Sequence, residues 1–249
     1  MGVRLIAKDV DAENFATEYA APVRRGLEAI HFLNTSIQKS ARNYAPGKPS
    51  GGVVGNPVAY SDRLACKGLT DYIQSSCPEF DSMTFFCIGR SSEDNSSDAK
   101  RPGFFGNYSM SGIGVDGGAA DGTVMYFRTA GNMAAAAGYG NTAADKTFPL
   151  ATLSALDAAK WSLYVVQVSA AGITFRDVTN NRSSTQSGTG GLPRRRSLTK
   201  FQVGSNPSRF GGTCDVAVWQ AHSVALTEEE ITTTIADLRA YALRKGIVV

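Results

Sequence analysis

Five side chains in the middle of the sequence have the chemistry that recognises sugars. Tyr108, Tyr139 and Asn141 lie in glycine-rich loop segments, while Tyr126 and Arg128 lie on a nearby apolar stretch. Binding sites for small polar ligands combine aromatic side chains with a few well-placed amide and charged groups. We therefore take these five residues as candidates for a glycan site. The alternative is that Tyr126 belongs to the core and the others are ordinary loop residues.

Three consecutive arginines, Arg194, Arg195 and Arg196, follow a glycine-rich segment at 187–193. Guanidinium groups bind phosphate and carboxylate groups with paired hydrogen bonds, so this run is a candidate contact for an anionic ligand or a neighbouring subunit. A solvated loop, or a contact with a neighbouring subunit, is the simpler interpretation and is favoured over an anion site. The net charge of +3, from 25 basic and 22 acidic residues, is too small to indicate a nucleic-acid partner.

Patterns typical of enzymes are not found in the sequence. Glycoside hydrolases on β-sandwich folds carry paired carboxylates on one strand, and none of the eight glutamates has such spacing. Residues 112–117 read G-x-G-x-x-G, but no strand precedes them and no helix follows, so a flexible loop is expected. His222 is expected to be structural, and no nucleophile elbow is present. We therefore expect a non-enzymatic protein, with a glycan-active hydrolase or lyase as the alternative.

The cysteines do not indicate a metal site. No C-x-x-C pair occurs, and the sequence has two histidines, so we expect neither a metal nor another cofactor. A bridge between Cys66 and Cys77 is open, although reduced thiols are favoured in a chain without a secretion signal. Cys87 lies in an apolar run and is expected in the core. No apolar run approaches the ~18 residues of a membrane helix, so we expect no membrane insertion.

The hydrophobic pattern predicts strands separated by clusters of Gly, Asn, Ser and Asp. Residues 161–169 and 173–178 flank a short turn and predict a β-hairpin. No helical periodicity separates the strands, which favours an all-β antiparallel sandwich of the jelly-roll type. Its two layers are expected to enclose Phe85, Trp161, Val165 and Val218. The predicted extended segments are 27–33, 53–60, 71–74, 83–90, 124–129, 161–169, 173–178, 201–204 and 215–221.

One helix is predicted at the C-terminal end. Thr227 and Glu230 have the spacing of a capping box, and Gly246 is placed to end the helix. The apolar residues between them recur at helical spacing and should lie on the outside of the sandwich. This stripe consists of Ile231, Ile235, Leu238 and Ala242.

The C-terminal segment 215–231 resembles the closing motif of laminin-G-like, concanavalin A-like jelly rolls. Its alternating apolar strand leads into Ala225-Leu226-Thr227, followed by Glu230-Ile231 at the start of the helix. Segments 26–34, 68–74 and 83–90 resemble earlier strands of that family, so the resemblance covers 26–249. The sequence departs from the family at Ser223-Val224, where a basic residue is frequent, and at the turn near Arg42-Asn43. The family's calcium-coordinating positions cannot be placed, so no metal site is carried over.

The layout of the chain resembles virion proteins of tailed bacteriophages. Residues 1–25 would form an N-terminal docking arm before the jelly-roll domain at 26–249, and Lys8, Asp9 and Asp11 interrupt any signal-peptide core. The resemblance implies a structural protein of a tail, fibre or baseplate, made in the host cytoplasm. The arm would bind other virion proteins, the domain would bind a host-surface glycan, and a homo-oligomer is expected. A purely architectural protein without a sugar ligand is the second alternative.

Overall fold

The computed structural model describes residues 13, 16–93, 95–129, 131–187 and 190–249. Within these residues the chain forms fifteen strands and two helices. In chain order they are β1 Leu27–Phe32, α1 Ile37–Ala41, β2 Gly52–Val54, β3 Val58–Ala59, β4 Leu64–Lys67, β5 Tyr72–Gln74, β6 Met83–Arg90, β7 Gly103–Gly106, β8 Thr123–Thr129, β9 Asn132–Ala137, β10 Leu150–Leu153, β11 Ser162–Ser169, β12 Gly172–Asp177, β13 Arg182–Ser187, β14 Gln202–Val203, β15 Thr213–His222 and α2 Glu228–Arg244.

The strands form two sheets. The first sheet has the order β13-β12-β11-β6-β15-β4-β3, and β1 pairs with the second half of β15. The second sheet has the order β10-β9-β8-β7-β14-β5-β2. Neighbouring strands are antiparallel in both sheets, and the hairpin of β11 and β12 forms as predicted. The predicted all-β antiparallel sandwich with a C-terminal helix is confirmed.

The central strands of the first sheet are buried on both faces, which corrects part of the predicted core. Phe85 of β6 packs between the two sheets, as predicted. Val165 pairs with Phe86, and these two residues and Val218 share the opposite face, which α2 covers. Trp161 is half-buried at the margin of that second core. The prediction that the two layers enclose Trp161, Val165 and Val218 is therefore wrong, because all three side chains pack in the core under α2 and not between the sheets.

Aromatic rings fill the space between the sheets. The ring centroid of Phe85 lies 4.8 Å from that of Phe105, 5.0 Å from that of Phe201 and 6.2 Å from that of Trp219. All four side chains are buried. Burial of such large apolar surfaces is the main favourable term in folding, and edge-to-face packing adds to it. This core holds the two sheets together and thereby fixes which side chains lie on the outer faces of the sheets.

The C-terminal helix has the capping predicted for it. The Thr227 side chain accepts a hydrogen bond from the Glu230 backbone, and the Glu230 carboxylate accepts one from the Thr227 backbone. Gly246 has a φ of +77°, and the backbone N–H of Ile247 reaches back to Ala242, which ends the helix. The predicted apolar stripe packs on the first sheet. Among the described residues, no helix has the length and apolar character needed to cross a membrane.

Strand β9 was not among the predicted strands, because alanine has a weak preference for extended structure. Its residues Met133 to Ala137 are fully buried. The strand lies between β8 and β10 and packs on both faces, so tertiary contacts override the local preference.

The described part of the N-terminal segment lies along the sandwich. The backbone N–H of Tyr19 donates to the carbonyl of Tyr44 at 2.8 Å, and the Tyr19 hydroxyl donates to Asp237 at 2.8 Å. The Tyr19 ring packs edge-on against Phe32. Residues 1–12, 14 and 15 of the predicted docking arm lie outside the described residues. The arm and its boundary at residue 25 therefore stay predictions.

Candidate functional site

Two of the five predicted glycan-binding residues, Tyr108 and Tyr126, come together in an aromatic patch. We define this patch as Tyr108, Tyr126, Phe148 and Phe210. The ring of Tyr126 stacks on that of Phe210 at 4.1 Å between centroids, and Tyr108 lies 4.8 Å from Phe148. Tyr126 and Phe210 are buried, whereas Tyr108 and Phe148 are half-buried. The patch therefore has a packed base and two partly accessible rings.

The patch lies on the outer face of the second sheet because of the alternation along β8. Tyr126 points outward, while its neighbours Met125 and Phe127 point into the core between the sheets. Ala134 of β9 pairs with Tyr126 and shares its face. The small side chains of Ala134 and Ala136 on β9 pack against the aromatic rings of the patch.

Phe210 reaches the patch through an unusual backbone conformation. Its φ is +67°, in the left-handed region that large side chains rarely adopt. The turn is held by Asn206, whose Nδ2 donates to the carbonyl of Arg209 at 2.8 Å, and by Gly211, whose N–H donates to the carbonyl of Asp98. Backbone conformations of this kind cost about 1–3 kcal/mol and cluster at functional sites. Phe210 is one of six non-glycine residues with such a positive φ in the described part of the chain.

Three arginines surround the aromatic patch. Asp98 accepts hydrogen bonds from Arg101 Nη1 at 2.5 Å and from Arg209 Nε at 2.8 Å. Arg128 is exposed and forms no ion pair among the residues that the structure describes. Burial raises the pKa of Tyr126, and the positive charges of Arg128, Arg101 and Arg209 oppose that increase. The Tyr126 side chain thus lies within the electrostatic influence of three guanidinium groups.

The side chains of Tyr139 and Asn141 are not part of this patch. Tyr139 is fully buried, its hydroxyl donates to the carbonyl of Ser169 at 2.8 Å, and the guanidinium of Arg194 lies 5.1 Å from its ring centre. It cannot offer its ring to a sugar. Asn141 is exposed in a turn in which its backbone N–H and its Nδ2 both donate to Asp145. The structure therefore gives Tyr139 a packing role and Asn141 a role in its own turn.

The three consecutive arginines form ion pairs within the protein. Arg194 and Glu79 make a fully buried pair, and Arg194 Nη1 donates to the carbonyl of Gly138 at 2.6 Å. Arg195 is also buried and binds both carboxylate oxygens of Asp116, at 3.0 and 3.1 Å. This arrangement leaves Arg194 and Arg195 no free face for an external anion.

Arg196 is the most exposed of the three arginines, with 30% of its side chain accessible, and it pairs with Asp81 at 2.6 Å. The contact of the three arginines with an anionic ligand or a neighbouring subunit stays a prediction. Because Arg194 and Arg195 are buried, Arg196 would have to make that contact.

A cleft of about 500 Å³ lies on the first sheet, beside the area that α2 covers. Asp215 lines the cleft and accepts a hydrogen bond from Arg90 Nε at 2.9 Å. It also forms an ion pair with Arg63, with 3.0 Å between Oδ2 and Nε. The Arg90 guanidinium lies 4.7 Å from the ring centre of Trp161. Asp71 also lines the cleft, and hydrogen bonds from Asn56 and Thr70 lower its pKa. The charges of Asp215, Arg63 and Arg90 neutralise each other in part, so the cleft has less unpaired charge than the aromatic patch.

The buried cysteines and His222 have structural positions. All four cysteines carry free, buried thiols, and burial raises the pKa of each thiol. Burial also lowers the pKa of His222, whose Nδ1 lies 2.9 Å from the carbonyl oxygen of Arg25. In the part of the chain that the structure describes, no group of three metal-ligating residues occurs.

Several residues of the patch and cleft were not found by sequence reasoning. Phe210 and Arg209 lie in a turn-rich segment far from Tyr126 in the sequence, and no local pattern connects them. Arg90 and Asp215 lie in predicted strands, and their neighbours in the sequence indicate no site. The sequence gives little indication of their contact, because the pairing of β6 with β15 brings the two residues opposite each other.

Comparisons with known proteins give a fold but no family. No family model matches the chain, and no curated protein matches it. Among solved structures, the binding domain of botulinum neurotoxin serotype D is similar, with a TM-score of 0.60, 12% identity, and coverage of 87% of this chain and 52% of that one. The receptor binding domain of the botulinum neurotoxin C/D mosaic serotype has a TM-score of 0.61, 10% identity, and coverages of 87% and 53%.

A third similar structure is the binding domain of botulinum neurotoxin DC in complex with SialylT, with a TM-score of 0.60, 9% identity, and coverages of 86% and 52%. The chain thus spans about half the length of these structures. At this identity the similarity shows a shared β-sandwich fold and not a shared site. The laminin-G family and the phage origin stay predictions.

Proposed function

We propose that this chain is a non-enzymatic, lectin-like module that binds an acidic glycan at the aromatic patch. The observation that carries the proposal is the half-buried Tyr108 ring in the aromatic patch together with exposed Arg128, which lies two residues after Tyr126 on β8. The Tyr108 ring offers a surface for a sugar ring. Arg128 offers two parallel N–H donors for a carboxylate or a phosphate on that sugar.

The comparisons support this proposal at the level of the fold. One similar structure is the serotype D ligand binding domain in complex with N-acetylneuraminic acid, a sugar that carries a carboxylate. It is 11% identical to this chain, which covers 52% of its length. No binding residue is therefore transferred, and the proposed site rests on the side chains of this chain alone.

The module is further proposed to be a structural component of a tailed-bacteriophage virion. Residues 1–25 would dock it to other virion proteins, and it would be assembled as a homo-oligomer. The support is the resemblance of the sequence layout to tail, fibre and baseplate proteins. Many copies on one particle would raise the avidity of individually weak sites without new contacts. A variant without residues 1–22 is expected to fold and to fail to join the particle, and its normal incorporation would argue against the arm.

The glycan proposal is tested with an acidic sugar and its neutral derivative. We expect N-acetylneuraminic acid, presented on a multivalent carrier, to bind more tightly than its methyl ester. Arg128→Ala should weaken binding of the acid about tenfold, which corresponds to ~1.4 kcal/mol. It should leave binding of the ester unchanged. Tyr108→Ala should weaken binding of both forms, because it removes the ring surface.

Lys67→Ala is the matched control, since Lys67 is an exposed cation that lines the cleft on the other sheet. It should leave binding of both sugars unchanged. If Lys67→Ala abolishes binding while Arg128→Ala and Tyr108→Ala do not, the glycan site lies in the cleft and the proposed site is refuted. A screen of acidic glycans without any binding favours the architectural alternative. Release of reducing ends or unsaturated sugars would show the enzymatic alternative instead.

A further inference from the structure

Three exposed apolar side chains lie together on a short two-stranded ribbon, in which residues 113–115 pair with residues 196–198. Leu198 N donates to the carbonyl of Ile113 at 2.8 Å. Val115 N donates to the carbonyl of Arg196 at 3.3 Å. We define the ribbon face as Ile113, Val115, Arg196 and Leu198.

The register of the ribbon places these four side chains on one side. Gly114 and Ser197 form an antiparallel bridge, and both residues are buried. Neighbouring residues along a strand point to opposite faces, whereas residues that lie opposite each other on paired strands share a face. The four residues of the ribbon face flank this bridge on both strands, so they point the other way. The apolar ones, Ile113, Val115 and Leu198, are 55%, 54% and 61% exposed.

Buried contacts hold the ribbon in place. Ser197 N donates to the buried carboxylate of Glu79 at 2.7 Å. Arg195 Nε donates to the carbonyl of Ala119 at 2.6 Å, and the same guanidinium binds Asp116. A surface that is already ordered loses little conformational freedom when a partner covers it, which favours binding.

The ribbon face has both signs of charge beside it. Arg196 forms an ion pair with Asp81 at 2.6 Å, and 75% of the Asp81 side chain is exposed. A surface that binds a copy of itself about a two-fold axis must be complementary to itself. An apolar centre with one basic and one acidic group beside it meets this condition, because Arg196 of each copy can face Asp81 of the other copy.

We propose that the ribbon face is the surface through which two copies of this chain associate. Its apolar centre consists of Ile113, Val115 and Leu198, and Arg196 pairs with Asp81 of the other copy. Apolar residues that cluster on a protein surface mark interaction sites, and arginine is enriched in such interfaces. The inference rests on the proposed homo-oligomer and names its interface.

Sedimentation velocity of the full chain over a range of concentrations measures this association. We expect the wild type to dimerise reversibly. Ile113→Ser combined with Leu198→Ser should raise the dissociation constant about a hundredfold, because each substitution occurs twice in a symmetric dimer. Leu243→Ser is the matched control, since Leu243 is 67% exposed on α2, and it should leave the association unchanged. Circular dichroism should show that all these variants stay folded.

Charge reversal distinguishes a contact between copies from a contact within one copy. Arg196→Asp places two acidic groups beside the ribbon face, and Asp81→Arg places two basic groups there. Each variant alone should therefore be monomeric, because its copies repel each other. An equimolar mixture of the two variants should associate, because an acidic face then meets a basic one. A mixture that stays monomeric while the wild type dimerises would overturn the inference.

The failure of this interface and the failure of the homo-oligomer give different results. If the wild type and the Ile113→Ser, Leu198→Ser variant oligomerise equally, the interface lies elsewhere and this inference is overturned, while the proposed homo-oligomer stands. A wild type that is monomeric at every concentration would overturn both. If that monomer binds phosphatidylcholine vesicles and the double variant does not, the ribbon face contacts a lipid surface instead of a second copy.

Discussion

The buried Glu79–Arg194 pair gives the sharpest test of the structure. Both side chains are essentially inaccessible, and Arg194 Nη2 donates to Glu79 Oε1. The same carboxylate also accepts from Thr123 Oγ1 at 2.6 Å, from Ser197 N at 2.7 Å and from Asn107 Nδ2 at 3.0 Å. Arg194→Met removes the positive partner and leaves a buried carboxylate with three neutral donors.

Breaking one side of a buried ion pair costs about 3–5 kcal/mol, because the remaining charge stays away from water. For a chain of this size, each kcal/mol lowers Tm by about 2–4 °C, so we expect Arg194→Met to lower Tm by about 6–20 °C. Denaturant unfolding followed by the fluorescence of buried Trp219 measures the free energy directly.

The neighbouring Arg196 provides a control for that experiment. Its pair with Asp81 is much more exposed, with 30% and 75% of the two side chains accessible. Arg196→Met should therefore change the free energy of unfolding by no more than about 1 kcal/mol. A loss below about 1 kcal/mol in Arg194→Met, or equal losses in the two variants, would refute the assigned burial of this loop.

Three further predictions concern the cap, a glycine and a histidine. Thr227→Ala should lower the free energy of unfolding by about 1 kcal/mol in denaturant titrations because the α2 capping box is lost, and Thr232→Ala on the exposed face of α2 should have a smaller effect. Gly204→Ala should destabilise by about 2–4 kcal/mol, since its φ is +81° and the new Cβ would lie 2.3 Å from that of Cys66. Gly47→Ala has open space at a similar φ and should cost about 1 kcal/mol, so equal losses would contradict the packing at Gly204. Burial lowers the pKa of His31 to about 4, below its unfolded value of about 6.5. The unfolded state therefore binds the proton more readily, so the contribution of His31 to the free energy of unfolding is complete above pH 6.5 and is lost as the pH falls toward 4. Unfolding free energies at pH 6.5 and 5 should differ by up to about 2 kcal/mol from this group, and a His31→Gln variant with an unchanged pH dependence would contradict this assignment.

Features encoded by neighbouring residues were predictable from the sequence. Thr227 and Glu230 are three residues apart, and their capping box depends on local geometry alone. The hairpin of β11 and β12 is similarly local. The faces of the central strands were not predictable, because β6 is apolar at almost every position and shows no alternation that distinguishes an inward side chain from an outward one. The face of Val165 is decided by its pairing with Phe86, which is a long-range contact.

The candidate site was predictable only in part for the same reason. Tyr126 and Tyr108 are aromatic residues of the kind that binds sugars. Phe210 contacts them through a turn that no nearby sequence pattern predicts. The three consecutive arginines show the limit most clearly. They are identical in type and adjacent in sequence, yet Arg194 is buried and Arg196 is partly exposed. Their different roles follow from the fold around them and not from their spacing.

The four buried thiols make the chain a convenient substrate for site-specific labelling. Maleimide reagents react with accessible thiolates, and burial both hides these thiols and keeps them protonated. A single cysteine introduced at Lys160, whose side chain is 79% exposed, would carry a fluorophore while the native cysteines stay unmodified. The wild-type cysteines would not have to be replaced first, so fluorescence studies can use the natural core.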